Sequence, residues 1–279
     1  MQYINHNGKL LPAIEPVLMV NNRSFRYGDG VFETIRFANN KPQFLAEHLQ
    51  RIHEAMEVLK MNVNSFIDHT NIYEQIIALA EKNKVGTDAR VRFTIYRNEG
   101  GLYTPESNDV SYVIEIEALE EQNYVLNLRG YNIDVYTEFK KQKNALSALK
   151  SANSSIYVMA GIFKKMHQFD ECLILNDNHS IIEAISSNFF AVKNGVLYTP
   201  PVNDGCVNGI MRKIIIEIAR SNRIAVHEIS VMQSVLLGAD ELFLTNAVNG
   251  IRWIVAYKQK RYFNATSKKL IDSLNKLIV

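Results

Sequence analysis

This 279-residue sequence predicts an α+β protein of two domains, on three observations. Alternating strand-like runs and helically spaced apolar residues occur in both halves. The stretch LEEQN at 119–123 is the one break that is both polar and centrally placed. Hydrophobic residues make up 47% of the chain and charged residues 22%, enough for sizeable cores and unlike a disordered or collagen-like chain. The expected division is a smaller α/β domain over 1–119, a linker over 120–127 and a larger α/β domain over 128–279.

Each element follows from a local pattern. YINHNGKLLP reads as a hairpin turning at Asn7-Gly8, because that dipeptide tolerates positive φ at both central positions. VFETIRF follows the tight Gly28-Asp29-Gly30 as a strand. Leu45, Leu49, Ile52, Met56 and Leu59 recur at helical spacing, and a second helix is expected over 65–83. ARVRFTIYR at 89–97 and VSYVIEIEA at 110–118 alternate as strands around the turn-rich NEGGLYTPESND. Strands are expected near 124–136, then a polar basic loop, EFKKQKN. Ile156, Met159, Phe163 and Met166 mark a helix. ECLILN, SIIEAIS, NFFAVK and VLYTP read as successive strands, with Asn194-Gly195 as a hairpin turn. Helices at about 209–221 and 231–238, strands ELFLT and RWIVAY, and a terminal helix complete the reading.

Several function classes fall away. With 31 basic and 29 acidic residues the net charge is +2, which gives no pull toward nucleic acid or an anionic membrane. The basic clusters FKKQK and KQKR read as solvated loops. Cys172 and Cys206 make no CxxC pair and sit in or beside apolar runs, as small buried hydrophobes do. The amino terminus lacks a basic region before its apolar stretch, and no run approaches the roughly 18 apolar residues of a membrane span, so a cytoplasmic setting is expected. No phosphate loop, GxSxG elbow or HExxH helix occurs. Gly28-Asp29-Gly30 starts like a dinucleotide fingerprint, but Glu33 stands where its third glycine belongs. His48 and His53, five apart on a helix, diverge by about 140° and make poor co-ligands. They are expected as surface or capped side chains, and no metal is expected.

Four features carry chemistry. Glu183 in SIIEAIS shares a strand face with Ile181 and Ile185, while Ile182 and Ala184 cover the other, so it leaves bulk water on either face. It then needs a cation or donor; an arginine partner or an exposed strand edge is the plainer alternative. Lys150, in NALSALKSANSS, has no acid within seven positions, and a lysine in such a partly dry setting can act as nucleophile or base; a surface lysine is the alternative. In DGCVNGIMRK, Asn208-Gly209 precedes a helix whose free amides at Ile210 and Met211 suit a phosphate as well as they suit an ordinary cap. Arg51 shares a helix face with His48, where it either reads a phosphate or faces solvent.

In order along the chain, GDGVFET, EHLQR, the lysine of LKSAN, IIEAISSNFF, VNGIMR and ADELFLTNA resemble the class IV aminotransferase family, the fold-type IV pyridoxal-phosphate enzymes. The resemblance spans essentially the whole chain. It implies a two-domain fold like that of D-amino acid aminotransferase, pyridoxal 5'-phosphate as cofactor, a small-molecule amino substrate and a homodimer. It implies that Lys150 carries the cofactor and moves protons, that Glu183 bonds the pyridine nitrogen, and that Arg51 in the smaller domain binds the phosphate. Ile210 and Met211 would supply amides to a phosphate cup, with Asn246 and Ala247 on its other side. Phe32, Arg92 and Arg97 are candidates for the substrate, Arg90 being a further arginine for its carboxylate.

Within the family, VNGIMR, VLYTP and TNA look most similar to 4-amino-4-deoxychorismate lyase, which releases pyruvate and p-aminobenzoate for folate synthesis. Ser155 stands where branched-chain aminotransferases carry a tyrosine, five residues after the lysine. The expected function is accordingly the lyase. The alternative is an aminotransferase acting on branched-chain or D-amino acids, and a non-catalytic cofactor-binding relative is more remote.

Overall fold

The computed structural model describes residues 1–63, 65–120 and 123–278, so Glu121 and Gln122 of the expected linker lie outside the described residues. The chain folds into two compact units: Met1–Asn123 with Leu149–Ser154 and Ile278, and Tyr124–Ala148 with Ser155–Leu277. The expected division places Lys150 in the second domain, whereas its segment belongs to the first unit. Backbone pairing is the reason: Phe32 N donates to Lys150 O at 3.0 Å and Ala152 N to Gly30 O at 2.8 Å.

In the first unit, β1 (Tyr3–His6) and β2 (Lys9–Pro12) form the expected hairpin, with Asn7 and Gly8 at φ 50° and 86°. A short helix that the sequence pattern does not announce, α1 (Arg23–Tyr27), is capped by the Asn22 side chain and closed by Gly28 at φ 67°. Then come β3 (Gly30–Ala38), β4 (Lys41–Pro42), α2 (Leu45–Val58), α3 (His69–Asn83), β5 (Ala89–Arg97) and β6 (Val110–Ala118). Asp68 starts α3 by accepting from Asn71 N at 3.0 Å, satisfying one of the helix's orphan amides. The strands form an antiparallel sheet in the order β2-β1-β6-β5-β3-β4.

Alternation sorts this sheet. Ile35, Val91, Phe93 and Ile95 pack with Leu49, Ile52 and Met56 of α2 and Ile72, Ile76 and Leu79 of α3. Truncating any of these isoleucines or leucines to Ala costs about 2–5 kcal/mol by cavity formation. The opposite sheet face carries Phe32 and Thr34 on β3 opposite Thr94 and Arg92 on β5.

The second unit contains β7 (Tyr131–Lys141), α4 (Ser155–Met166), β8 (Glu171–Asn176), β9 (Ile181–Ala184), β10 (Asn188–Lys193) and β11 (Val196–Thr199). They are followed by α5 (Ile210–Ser221), β12 (Val226–Glu228), α6 (Gln233–Gly238), β13 (Glu241–Asn246), β14 (Gly250–Tyr257), β15 (Lys260–Arg261) and α7 (Ala265–Asn275). The sheet runs β12-β11-β10-β13-β14-β7-β8-β9, and β9 returns to β10 through Glu183 opposite Asn188, so six strands close into a ring. Inside lie Val135, Leu173, Leu175, Phe189, Leu242 and Leu244. Cys172, Ile174, Ile182, Ala160 and Cys206 pack in a separate cluster, and the alternate residues of β8 are therefore buried on both sides.

Two departures matter for the site. β7 starts at Tyr131 and runs on to Lys141, so the first half of the expected basic loop is strand. Its last five residues, TEFKK, are polar apart from Phe139 and mostly exposed, a pattern that imitates a loop. On β9, register shifts from Ile174 opposite Glu183 to Leu175 opposite Ile181. This bulge breaks the alternation, so Glu183 lies on the Ile174 side of the sheet instead of sharing a face with Ile181.

Candidate active site

In the first unit, three predicted residues meet on one ring. Lys150 Nζ lies 4.1 Å from the Phe32 ring centroid, and the Arg92 guanidinium carbon lies 3.9 Å from the same point. Amine and guanidinium are therefore within about 8 Å of each other, both in cation–π range of the ring. Lys150 is half-buried, as its small and apolar flanks suggest. Arg92 also faces Glu115 at 3.8 Å. Arg90 pairs with exposed Glu117 at 3.2 Å.

Arg51 is buried, which excludes the solvent-facing alternative. Its Nε lies 2.7 Å from Glu33 Oε1 and its Nη2 2.5 Å from Oε2, a forked pair that fixes the guanidinium plane. His48 Nδ1 lies 2.6 Å from the same Oε2 and its side chain is fully buried, which corrects the expectation of a surface or capped histidine. His53 instead meets Ile67 O at 3.0 Å. Burial alone would raise the Glu33 carboxyl, but Arg51 and His48 outweigh it and hold the group at about 2. Sequence reasoning misses Glu33 even though alternation places it among Val31, Ile35 and Phe37, the same signal of a carboxylate on an apolar strand that singles out Glu183.

Arg97 does not join the Phe32 cluster. Its Nε donates to Asp29 at 2.9 Å and its Nη2 to Leu59 O at 2.7 Å, while Nη1 reaches Lys60 O and Asn108. Arg23 meets the same Asp29 oxygen and donates to Gly100 O and Leu102 O. These bonds give Arg97 the work of fastening loop backbone.

In the second unit, Glu183 is buried in β9 and accepts three hydrogen bonds. Lys141 Nζ (2.7 Å) and Tyr157 OH (2.8 Å) reach Oε1, and Val207 N (2.9 Å) reaches Oε2. The cation is thus a lysine from the end of β7, where the sequence offers an arginine as the plain expectation. Burial and the adjacent carboxylate push the Tyr157 phenol far up, so it remains a protonated donor. Cys206 nearby is buried and its thiol is pushed up to about 12 by desolvation, as is that of Cys172, so both are inert. Neither Lys141 nor Tyr157 carries a motif.

Asn188, opposite Glu183 on one side and Thr245 on the other, donates through Nδ2 to Val207 O at 2.8 Å. Its Oδ1 lies against Gly209, where a Cβ would come within 1.7 Å. Gly209 precedes α5, whose first turn at Ile210 and Met211 has no side-chain cap. On the neighbouring strand, Asn246 accepts from Val248 N at 3.1 Å and Asn249 N at 2.8 Å and donates to Ser187 Oγ at 3.0 Å, shaping the turn that contains Ala247. Thr245 Oγ1, just before it, is buried with no hydrogen-bond partner among the described residues. A buried carboxylate that accepts from a ring N–H, and an uncapped helix start and an orphaned hydroxyl that donate to an anion, fit the polar needs of an anionic pyridine cofactor.

An antiparallel sheet backed by two helices and carrying a half-buried lysine, and a closed mixed ring carrying a buried acid, together define the class. The profile of the amino-transferase class IV family matches residues 30–257, and the chain belongs to that family. It is similar to the branched-chain-amino-acid aminotransferase of Escherichia coli strain K12, 27% identical over 252 residues that cover 87% of this chain and 81% of the relative. It is also similar to the D-alanine aminotransferase of Bacillus licheniformis, 26% identical over 256 residues, 86% of this chain and 83% of the relative. A Legionella pneumophila structure provisionally named 4-amino-4-deoxychorismate lyase shares the fold with TM-score 0.86 and 24% identity, covering 95% of this chain and 96% of its own. Other structures of the fold were solved with pyridoxal or pyridoxamine phosphate. Among the described residues no helix is long and apolar enough to cross a membrane.

Proposed function

We propose that the chain is a pyridoxal-phosphate-dependent amino-acid aminotransferase that passes the amino group of an amino acid to a 2-oxo acid. The observation that carries this reading is the pair of cations on Phe32. A guanidinium within about 8 Å of the Lys150 amine suits a substrate whose carboxylate sits on the amine-bearing carbon. When bound, the cofactor supplies an electron sink for the negative charge left as that carbon loses its proton.

The chain's own residues do the rest. Lys150 takes that proton and returns it, which requires a neutral amine in a partly dry setting. Glu183 bonds the ring nitrogen and shares its proton. Arg51, its plane set by Glu33, and the amides of Ile210 and Met211 bind the phosphate, with Asn246 and Ala247 bordering it. Phe32 and Arg92 orient the substrate.

This places the aminotransferase ahead of the lyase that the sequence motifs favour, and the two sequence relatives support that order. The lyase is kept as a second reading because Ser155 replaces the usual tyrosine and because of the similarity to the Legionella protein. A homodimer and a cytoplasmic setting belong to the proposal, and sedimentation tests the first. The deciding experiment incubates the pyridoxal-phosphate-loaded protein with D-, branched-chain and aromatic amino acids, and separately with aminodeoxychorismate. Conversion of the bound cofactor to pyridoxamine phosphate is expected with an amino acid alone. No such conversion, with p-aminobenzoate formed from aminodeoxychorismate, would overturn the proposal in favour of the lyase.

A further inference from the structure

Lys141 has no place in the mechanism above, yet it reaches the acid at its centre. Its ammonium is 2.7 Å from Glu183 Oε1 and 2.7 Å from the Tyr157 hydroxyl, with the Lys141 and Glu183 side chains only 12% and 4% exposed. A carboxylate offers about four acceptor positions, two on each oxygen. Lys141 and Tyr157 fill those of Oε1, and Val207 N fills one on Oε2. One position on Oε2 is left for a ring N–H, and Lys141 need not leave for it to be used.

The electrostatic consequence has a definite sign. A carboxylate already paired with an ammonium is a weaker partner for a second cation, and in a dry site that ammonium also repels a protonated ring. Tyr157 fixes Oε1 but brings no charge. We infer that Lys141 is a positioning residue that fixes Glu183 with an acceptor position open on Oε2, and that Glu183 so paired would hold the ring nitrogen's proton less tightly than an unpaired glutamate. The cofactor would then supply a milder electron sink when bound. The inference rests on the pyridoxal-phosphate reading proposed above.

The test reconstitutes the full chain with ring-15N pyridoxal phosphate and records the nitrogen chemical shift. Lys141→Met is expected to move the resonance toward its protonated position, and Lys141→Arg, which keeps the charge, to leave it near wild type. Lys141→Gln, which keeps a donor without the charge, gives the same shift as the methionine variant and serves if that variant fails to fold. A resonance in the uncharged variants that stays put or moves toward the deprotonated position overturns the inference. If wild type itself retains no cofactor on Lys150 after borohydride reduction and peptide mapping, the underlying reading fails instead.

Discussion

Arg51 grips Glu33 with both arms of its fork, Nε to Oε1 at 2.7 Å and Nη2 to Oε2 at 2.5 Å, while His48 closes on the second oxygen. Three buried polar groups thereby meet between β3 and α2, and His48 Nε2 alone among their ring and carboxylate atoms is left without a hydrogen-bond partner among the described residues. Removing the anion leaves a buried guanidinium without its counter-charge, which costs about 3–5 kcal/mol. Glu33→Gln should lower the unfolding free energy measured in urea at neutral pH by that amount.

The same pair sets a pH dependence. Folding depresses the Glu33 carboxyl from its ordinary 4.5 to about 2, against the opposing effect of burial. Its contribution to stability is therefore fully present above about 4.5 and drains as pH falls from there toward about 2. Denaturation midpoints measured across that window should fall more steeply for wild type than for Glu33→Gln. Parallel slopes would show that other carboxylates govern acid unfolding.

Lys150 is expected to carry the cofactor. Borohydride reduction of the loaded protein should place one label on Lys150, and Lys150→Ala should bind cofactor only reversibly and without label. Lys141, a second lysine of the proposed site, should remain unlabelled, because an ammonium paired with Glu183 is a poor nucleophile. Mass spectrometry of the peptides decides between them.

Much of this is legible in the sequence because it rests on local periodicity. Asn7-Gly8, the alternation at 89–97 and 110–118, and the apolar spacing of α2 specify elements without tertiary information. Glu183 is legible because an acid within an apolar strand must find a partner. The partner is not: Lys141 reaches it only because β7 runs further than its polarity suggests and a bulge reorients β9. The carbonyl partners of Arg97 are hidden for a related reason, since nothing local distinguishes an arginine that ties down loop backbone from one that does not.

Arg92 and Arg97 should separate in their effects. Arg92→Leu removes the guanidinium that shares the Phe32 ring with Lys150. On the proposed substrate role, losing a charge-assisted bidentate contact worth about 1.5–3 kcal/mol should raise KM for the amino acid roughly 10- to 100-fold, with a smaller change in kcat and little change in Tm. Arg97→Leu leaves Asp29 and the carbonyls of Leu59 and Lys60 without its guanidinium, so it should lower Tm first. If Arg97→Leu raised KM at unchanged Tm, the structural role assigned to it would be wrong.

Gly209 provides a test of the proposed phosphate cup that removes no polar group. Its φ of −68° suits any residue, so alanine there meets no backbone penalty. The obstacle is Asn188, whose Oδ1 would lie 1.7 Å from the new Cβ and whose Nδ2 is tied to Val207 O. Either that bond breaks or the start of α5 moves away from it, at about 1–3 kcal/mol. Gly209→Ala should therefore lower Tm and weaken retention of pyridoxal phosphate on dialysis. In an Asn188→Ala background the clash is absent, so the added cost of Gly209→Ala should largely vanish. Equal costs in the two backgrounds would mean that the glycine is required for some reason other than the close approach of Asn188.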